Sequence, residues 1–201
     1  MQTQIEGKNI GIHTLKYGTT VILREPTLDD VERSLRFYRS LPPEDRRFLK
    51  HDVTKHDVVL RRIQQTMEGT IHRIFALVED DIVADGTLEF SQDIWRRHLG
   101  EIRVVVARKF QRRGLGKLII SDLYNTAKRR GVEKIVAKMA APQKASRKIF
   151  ERLGFHVDSL LPEYIKDADG TLQSMVIMSC TLDELSEELR GFYKNDDWPD
   201  G

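Results

Sequence analysis

The chain has a single cysteine, Cys180, among its 201 residues, so it forms no internal disulfide and carries no sign of an oxidising compartment. Val176, Ile177 and Met178 precede that cysteine closely, which predicts a buried strand thiol rather than a nucleophile. No apolar run approaches the roughly 20 residues needed to span a bilayer. The opening MQTQIEGKNIGIH holds neither an apolar signal core nor an amphipathic arginine-rich pattern. A cytoplasmic location is therefore expected. Net charge is scarce too. Although 32% of the residues are charged, they nearly cancel to +2, so no global field marks a nucleic-acid binder. The histidines at 13, 51, 56, 72, 98 and 156 include no pair at metal-ligand spacing beside cysteines, and no metal is expected. With 40% hydrophobic residues and no internal repeat, the chain can fill one sizeable core, and one domain with a short tail is expected.

What the chain does have is concentrated in Val104 to Lys117, VVVARKFQRRGLGK. Three consecutive valines suit a strand, and Leu115, Leu118, Ile119 and Leu123 then fall at helical spacing. Gly114 and Gly116, in the turn between, let backbone amides approach a ligand. Free N–H groups at a helix N-terminus carry the positive end of the helix dipole, and Arg108, Lys109, Arg112, Arg113 and Lys117 add charge. This is a cradle for a polyphosphate. A Walker loop is excluded because position 111 is Gln rather than Gly, and Leu118 follows Lys117 where Ser or Thr would hold magnesium. A dinucleotide fingerprint fails at Ile119, where a third small residue is required.

Gln111, Gly114 and Gly116 form QxxGxG after a strand, and this resembles the pyrophosphate-binding motif of the GNAT superfamily of acyl-CoA-dependent N-acyltransferases. Downstream, QKASRKIFERLGF from Gln143 to Phe155 resembles that superfamily's second signature, an Asn-led helix ending in an aromatic and then GF. The resemblance covers roughly Thr20 to Thr181. It implies that acetyl-CoA is the co-substrate. Its pantetheine arm would run along the backbone of Val104, Val105 and Val106, and its pyrophosphate would sit on the amides of Gln111, Arg112, Arg113, Gly114, Leu115, Gly116 and Lys117. Gln143 stands where Asn is usual and would hydrogen-bond the pantetheine, beside Ser146 and Phe150.

The remaining pattern agrees. Val21–Leu23 reads as a strand, helices follow through Tyr38 and over Asp57 to Met67, and Pro42 and Pro43 interrupt between them. Ile71–Val78 and Ile82–Phe90 form a hairpin around Glu79, Asp80 and Asp81. Further strands are expected over Glu101–Ala107, Lys134–Ala140, Val157–Leu161 and Leu172–Thr181. The expected class is α/β of the α+β type, a mixed, mostly antiparallel sheet of about seven strands with helices on both faces. Residues 1–19 are expected as an N-terminal extension, 20–182 as the acyltransferase domain, and 183–201 as an acidic helix and tail. DIWRRHLGE, from Asp93 to Glu101, reads as a connecting loop with solvated charges.

The reaction implied is attack of a neutral amine on a thioester, which needs a base and an acid. Glu101 matches a place where many superfamily members carry a glutamate acting as base, often through water; His98 and then Glu89 are the alternatives. For the acid, many members have a tyrosine four residues before the Gly of GF, but this chain has Phe150, which cannot donate a proton. Ser146, Tyr124, Tyr164 or water would have to serve, or else the chain is a silent acyl-CoA sensor. LPPEDRRFLK, at Leu41 to Lys50, resembles a helix segment of bacterial protein-lysine acetyltransferase domains. The expected partners are acetyl-CoA, an amine acceptor on a protein lysine or a small molecule, and a second copy in a homodimer; nucleic acid and membrane are not among them.

Overall fold

A computed structural model describes residues 9–167 and 169–195. Its strands are β1 (Asn9–Thr14), β2 (Thr20–Arg24), β3 (Ile71–Val78), β4 (Asp81–Phe90), β5 (Leu99–Val106), β6 (Lys134–Ala140), β7 (His156–Lys166) and β8 (Leu172–Thr181). The helices are α1 (Val31–Ser40), α2 (Pro43–Arg46), α3 (His56–Met67), α4 (Leu115–Arg129), α5 (Lys144–Arg152) and α6 (Leu182–Asn195). All eight strands join one sheet in the order β1-β2-β3-β4-β5-β6-β8-β7. Only β5 and β6 pair in parallel, and α4 makes the crossover that a parallel pair requires. No helix among the described residues is long and apolar enough to cross a membrane.

Helices cover both faces of the sheet, so β3 and β4 are buried on both sides and read as near-continuous apolar runs. On one face, Leu115, Ile119, Ile120, Leu123 and Ala127 of α4 pack with Ile74, Leu88, Ile102, Ile135 and Met178. Gly86 of β4 lets α4 come close, since a Cβ there would stand 2.2 Å from Ile119 Cγ2. The opposite face packs Leu35, Phe37 and Tyr38 of α1 and Val59 and Ile63 of α3 on Phe75 and Leu77. That second face also buries Arg73 and Asp85, joined through the Arg73 Nε at 3.0 Å, with the Tyr38 hydroxyl donating to the same carboxylate.

The eighth strand is β1, which lies inside the stretch expected as an extension. Its short NIGIHT alternation is weak on its own and is completed by antiparallel pairing with β2. β7 runs to Lys166, beyond the expected Leu161, because β8 continues to pair it past an irregularity between Leu161 and Ile165. Pro43 starts α2, a single helical turn within the Leu41–Lys50 stretch that resembles a helix segment. The acidic stretch does form α6, and residues 196–201 lie outside the described residues. Cys180 is fully buried, and burial pushes its thiol up to about 12.

Candidate active site

β5 and β6 pair only at Leu99↔Lys134, Gly100↔Ile135 and Glu101↔Val136. Beyond those residues the strands part, with β5 held by β4 and β6 by β8. The backbone groups of β5 that would face β6 are thus left without a ladder. A cleft of about 410 Å³ opens between Ile102–Val106 and Ala137–Met139. Leu41, Phe48 and Leu49 border it on one side, and Pro142, Ser146 and Phe150 on another.

At the end of β5, a single 3₁₀ turn over Arg108–Phe110 leads to Arg112 at φ 59° and Gly114 at φ 85°. A Cβ on Gly114 would meet nothing within 4 Å, so glycine serves the left-handed backbone there rather than space. α4 starts at Leu115 with no acidic residue in its first turn, and its N-terminal amides have no partner within the helix. They border a second cavity of about 440 Å³, lined by Val104, Val106, Arg112, Gly114 and Gly116 from this side and by Ser146 and Phe150 of α5 from the other. The two cavities adjoin along β5, with Asp45, Val104, Val106, Gln111, Ser146 and Phe150 among the residues that border both, and together are termed the channel. An extended chain with an anionic end fits this shape: open strand edge along its length, positive helix terminus at its tip.

A model of the Acetyltransferase (GNAT) family matches residues 28–155. The chain belongs to the GNAT acetyltransferase family. No curated protein matches the chain closely enough to stand as a relative. Solved structures share the fold at low identity. Mycobacterium smegmatis RimJ in complex with CoA-disulfide is 16% identical at TM-score 0.74, covering 95% of this chain and 96% of its own. The ribosomal-protein-alanine N-acetyltransferase of Brucella melitensis is 19% identical at TM-score 0.68, covering 79% and 98%. Salmonella typhimurium yncA, a putative acetyltransferase with its cofactor acetyl-CoA, is 19% identical at TM-score 0.67, covering 81% and 94%.

Within this GNAT domain the expected cofactor residues divide. Val104, Val106, Gln111, Arg112, Gly114, Gly116, Ser146 and Phe150 all border the 440 Å³ cavity. Val105 packs against the α1–α3 core and also borders the 410 Å³ cleft, and Leu115 is a core side chain. Arg113 is turned toward the N-terminal segment, over Tyr17 at 5.9 Å and Phe110 at 5.7 Å, while its carbonyl accepts from Lys16 N at 3.2 Å. Lys117 lies in the first turn of α4. Gln111 Nε2 donates to the Val106 carbonyl at 3.0 Å, and Gln143 Oε1 accepts from Ala140 N at 2.9 Å. Both glutamines therefore brace the ends of the cleft walls. Phe150 packs edge-on to Phe155 at 4.9 Å. Tyr164 is 63% exposed on β7, and Tyr124 packs against the core, so Ser146 is the hydroxyl of the three at the channel.

Alternation and register set the other end. Asp85, Thr87 and Glu89 of β4 stand opposite Val105, Arg103 and Glu101 of β5, on the face toward α1 and α3. Glu101 accepts from Lys138 Nζ at 2.7 Å and lies 3.6 Å from Lys50 Nζ. Glu89 accepts from Lys50 at 3.1 Å and Arg62 at 3.2 Å. Burial pulls the Glu89 carboxyl upward, but these two cations outweigh it and hold it below the usual glutamate value. Glu101 and Glu89 are thus brought together, whereas His98 lies on an exposed stretch whose carbonyl accepts from Glu133 N and Lys134 N and anchors the start of β6.

Three features escaped the sequence reading. His51, three residues beyond Phe48, borders a recess with Tyr38, Arg62, Thr87 and Arg103. Although His51 is exposed at the surface, desolvation on its inner side, then Arg62, Lys50 and Arg103, push its imidazole down to about 4. Arg103 borders both that recess and the 410 Å³ cleft. Finally, α2 is tethered on both sides: Arg108 reaches Glu44 and Asp45 at 2.9 Å, and Arg47 reaches Asp167 at 2.8 Å and Asp169 at 3.2 Å. Nothing in the spacing of these residues signalled a site, because their partners come from distant parts of the chain.

Proposed function

We propose that this chain is an N-acetyltransferase that moves the acetyl group of acetyl-CoA to a primary amine by direct attack in a ternary complex. The observation that carries this reading is the parting of β5 and β6, with an N-terminal helix turn free of acidic residues at the end of the channel. Acetyl-CoA supplies an activated thioester. Backbone groups of Val104 and Val106 pair with its extended arm, and the amides from Gln111 to Lys117, with the Arg112 side chain, take its pyrophosphate. Phe150 and Ser146 form the wall opposite β5.

Attack requires the amine in its neutral form. Glu101, at the acceptor end of β5, takes the proton directly or through a water, and its contacts with Lys138 and Lys50 fix its position. The departing sulfur needs a proton that Phe150 cannot give, which leaves the Ser146 hydroxyl or water. Phe150 also supports a second reading, an acyl-CoA-binding module without rapid turnover. Calorimetry with acetyl-CoA, followed by thiol release with amines and lysine peptides, separates the two. The enzyme reading expects amine-dependent release that falls at least tenfold in Glu101→Gln while acetyl-CoA affinity holds. Equal rates in variant and parent would remove Glu101 from the mechanism, and binding without release would favour the module.

A further inference from the structure

At the acceptor end of the channel four cations meet two carboxylates. Lys50, Arg62, Arg103 and Lys138 face two carboxylates, Glu89 and Glu101. Lys50 bridges both acids, Arg62 pairs with Glu89, and Lys138 pairs with Glu101. The nearby Asp85 is already held by Arg73, and Glu44 and Asp45 across the cleft share the single Arg108, an arrangement that offsets part of the positive surplus but makes no contact with Arg103. Among the described residues no hydrogen bond or ion pair reaches Arg103. It is nonetheless half-buried, between Glu101 and Val105 on β5, at the wall shared by the 410 Å³ cleft and the recess beneath it. No Arg103 nitrogen is among the buried unpartnered side-chain atoms, so the guanidinium is open to a ligand entering from the cleft, and its planar fork suits a carboxylate or phosphate.

We propose that the acceptor is a small amine carrying an anionic group, a carboxylate or a phosphate, a few bonds from its nitrogen, and that Arg103 binds that group. This rests on the acetyl-CoA reading above and names its second substrate. A bare ammonium entering this end meets charge of its own sign, whereas an amine with its own anion enters with that charge neutralised and gives Arg103 its partner. The same field favours the neutral amine once it is bound, which is the form that attacks. The side chain of a protein lysine carries no anion near its nitrogen, whereas Arg103 lines the cleft where the acceptor nitrogen must enter.

The test is thiol release from acetyl-CoA with matched acceptors: glycine against glycinamide, β-alanine against its amide, and phosphoethanolamine against ethanolamine. Expected is at least one pair in which the anionic member has a kcat/KM about tenfold higher, equivalent to about 1.4 kcal/mol. Glycine and β-alanine report a carboxylate and phosphoethanolamine a phosphate. Arg103→Gln brings the ratio close to one, and Arg103→Lys retains part of it. Neutral members turned over equally well, lysine peptides exceeding every anionic amine, or an undiminished ratio in Arg103→Gln would each overturn the assignment. Calorimetry with acetyl-CoA on the parent and both variants checks that the fold is intact. Failure of the parent to bind acetyl-CoA overturns this inference together with the acetyltransferase reading; binding without anion preference overturns the inference alone.

Discussion

Replacing Asp85 by alanine tests whether the buried polar cluster under the acceptor end is held together by charge. Arg73 is 1% exposed and Asp85 2%. The carboxylate accepts from Arg73 Nε at 3.0 and 3.1 Å, from Arg73 Nη2 and from the Tyr38 hydroxyl. Burial and this carboxylate push the Tyr38 phenol well above the ordinary tyrosine range, so it remains a neutral donor. Arg73 Nη1 already lacks a partner. Removing Asp85 would leave the guanidinium buried with only the Tyr38 oxygen, 3.3 Å from Nη2, as acceptor. Stranding one member of a buried pair costs about 3 to 5 kcal/mol, or roughly 6 to 20 °C in Tm for a domain of this size. Tyr38→Phe removes one donor to a charged acceptor and costs about 1.5 to 3 kcal/mol. The combination Arg73→Met, Asp85→Leu and Tyr38→Phe removes all the charge and should be more stable than Asp85→Ala alone. Urea unfolding of the four proteins gives these differences from the midpoints at constant slope. A cost below about 1 kcal/mol for Asp85→Ala, or a triple variant less stable than it, would refute the argument that an uncompensated charge is what destabilises.

Gly86→Ala places a methyl 2.2 Å from Ile119 Cγ2 and 3.1 Å from Ile74 Cγ2, so the contact of β4 with α4 should be overpacked by about 1 to 3 kcal/mol; a urea midpoint equal to the parent's would show that α4 can shift freely. Phe150→Tyr adds a phenol at the wall of both cavities, and amine-dependent thiol release should rise by at least about tenfold; an unchanged kcat would mean that sulfur protonation does not limit the rate. His51 is pushed from an ordinary 6.5 to about 4. The unfolded chain therefore takes up a proton before the folded protein does, and stability present above about pH 6.5 falls as the pH drops toward 4. His51→Gln should flatten that fall, followed by thermal unfolding across the window, whereas Glu89, held below 4.5, contributes only at lower pH.

Much of the fold was legible because its signals are local. The expected hairpin over Ile71–Val78 and Ile82–Phe90 forms as β3 and β4, and Lys134–Ala140 and Leu172–Thr181 are strands with the bounds read from the sequence. Strand period, turn chemistry and helix spacing each act within a few residues. The turn at Gly114 was legible for the same reason, since a valine strand, a glycine at positive φ and a helical repeat are adjacent in the chain. β1 was missed because six residues with little alternation become a strand only when β2 supplies the partner.

The sequence by itself determined the order of the elements, the fold family that order implies, and where a glycine turn leads from β5 into the N-terminus of α4. Tertiary structure alone decided what the acceptor end looks like. Lys138 meets Glu101 across 37 residues, Lys50 meets Glu89 across 39, and Tyr38 meets Asp85 across 47. No periodicity encodes such distant pairings. They arise because β5 leaves β6 after Glu101 while α1, α3 and the segment after α2 close over the same face of the sheet. Arg103 shows the difference most directly. In the sequence it is one cation among many beside a valine run, and only the packing of its neighbours, each already committed to another charge, leaves it without a partner in the cleft.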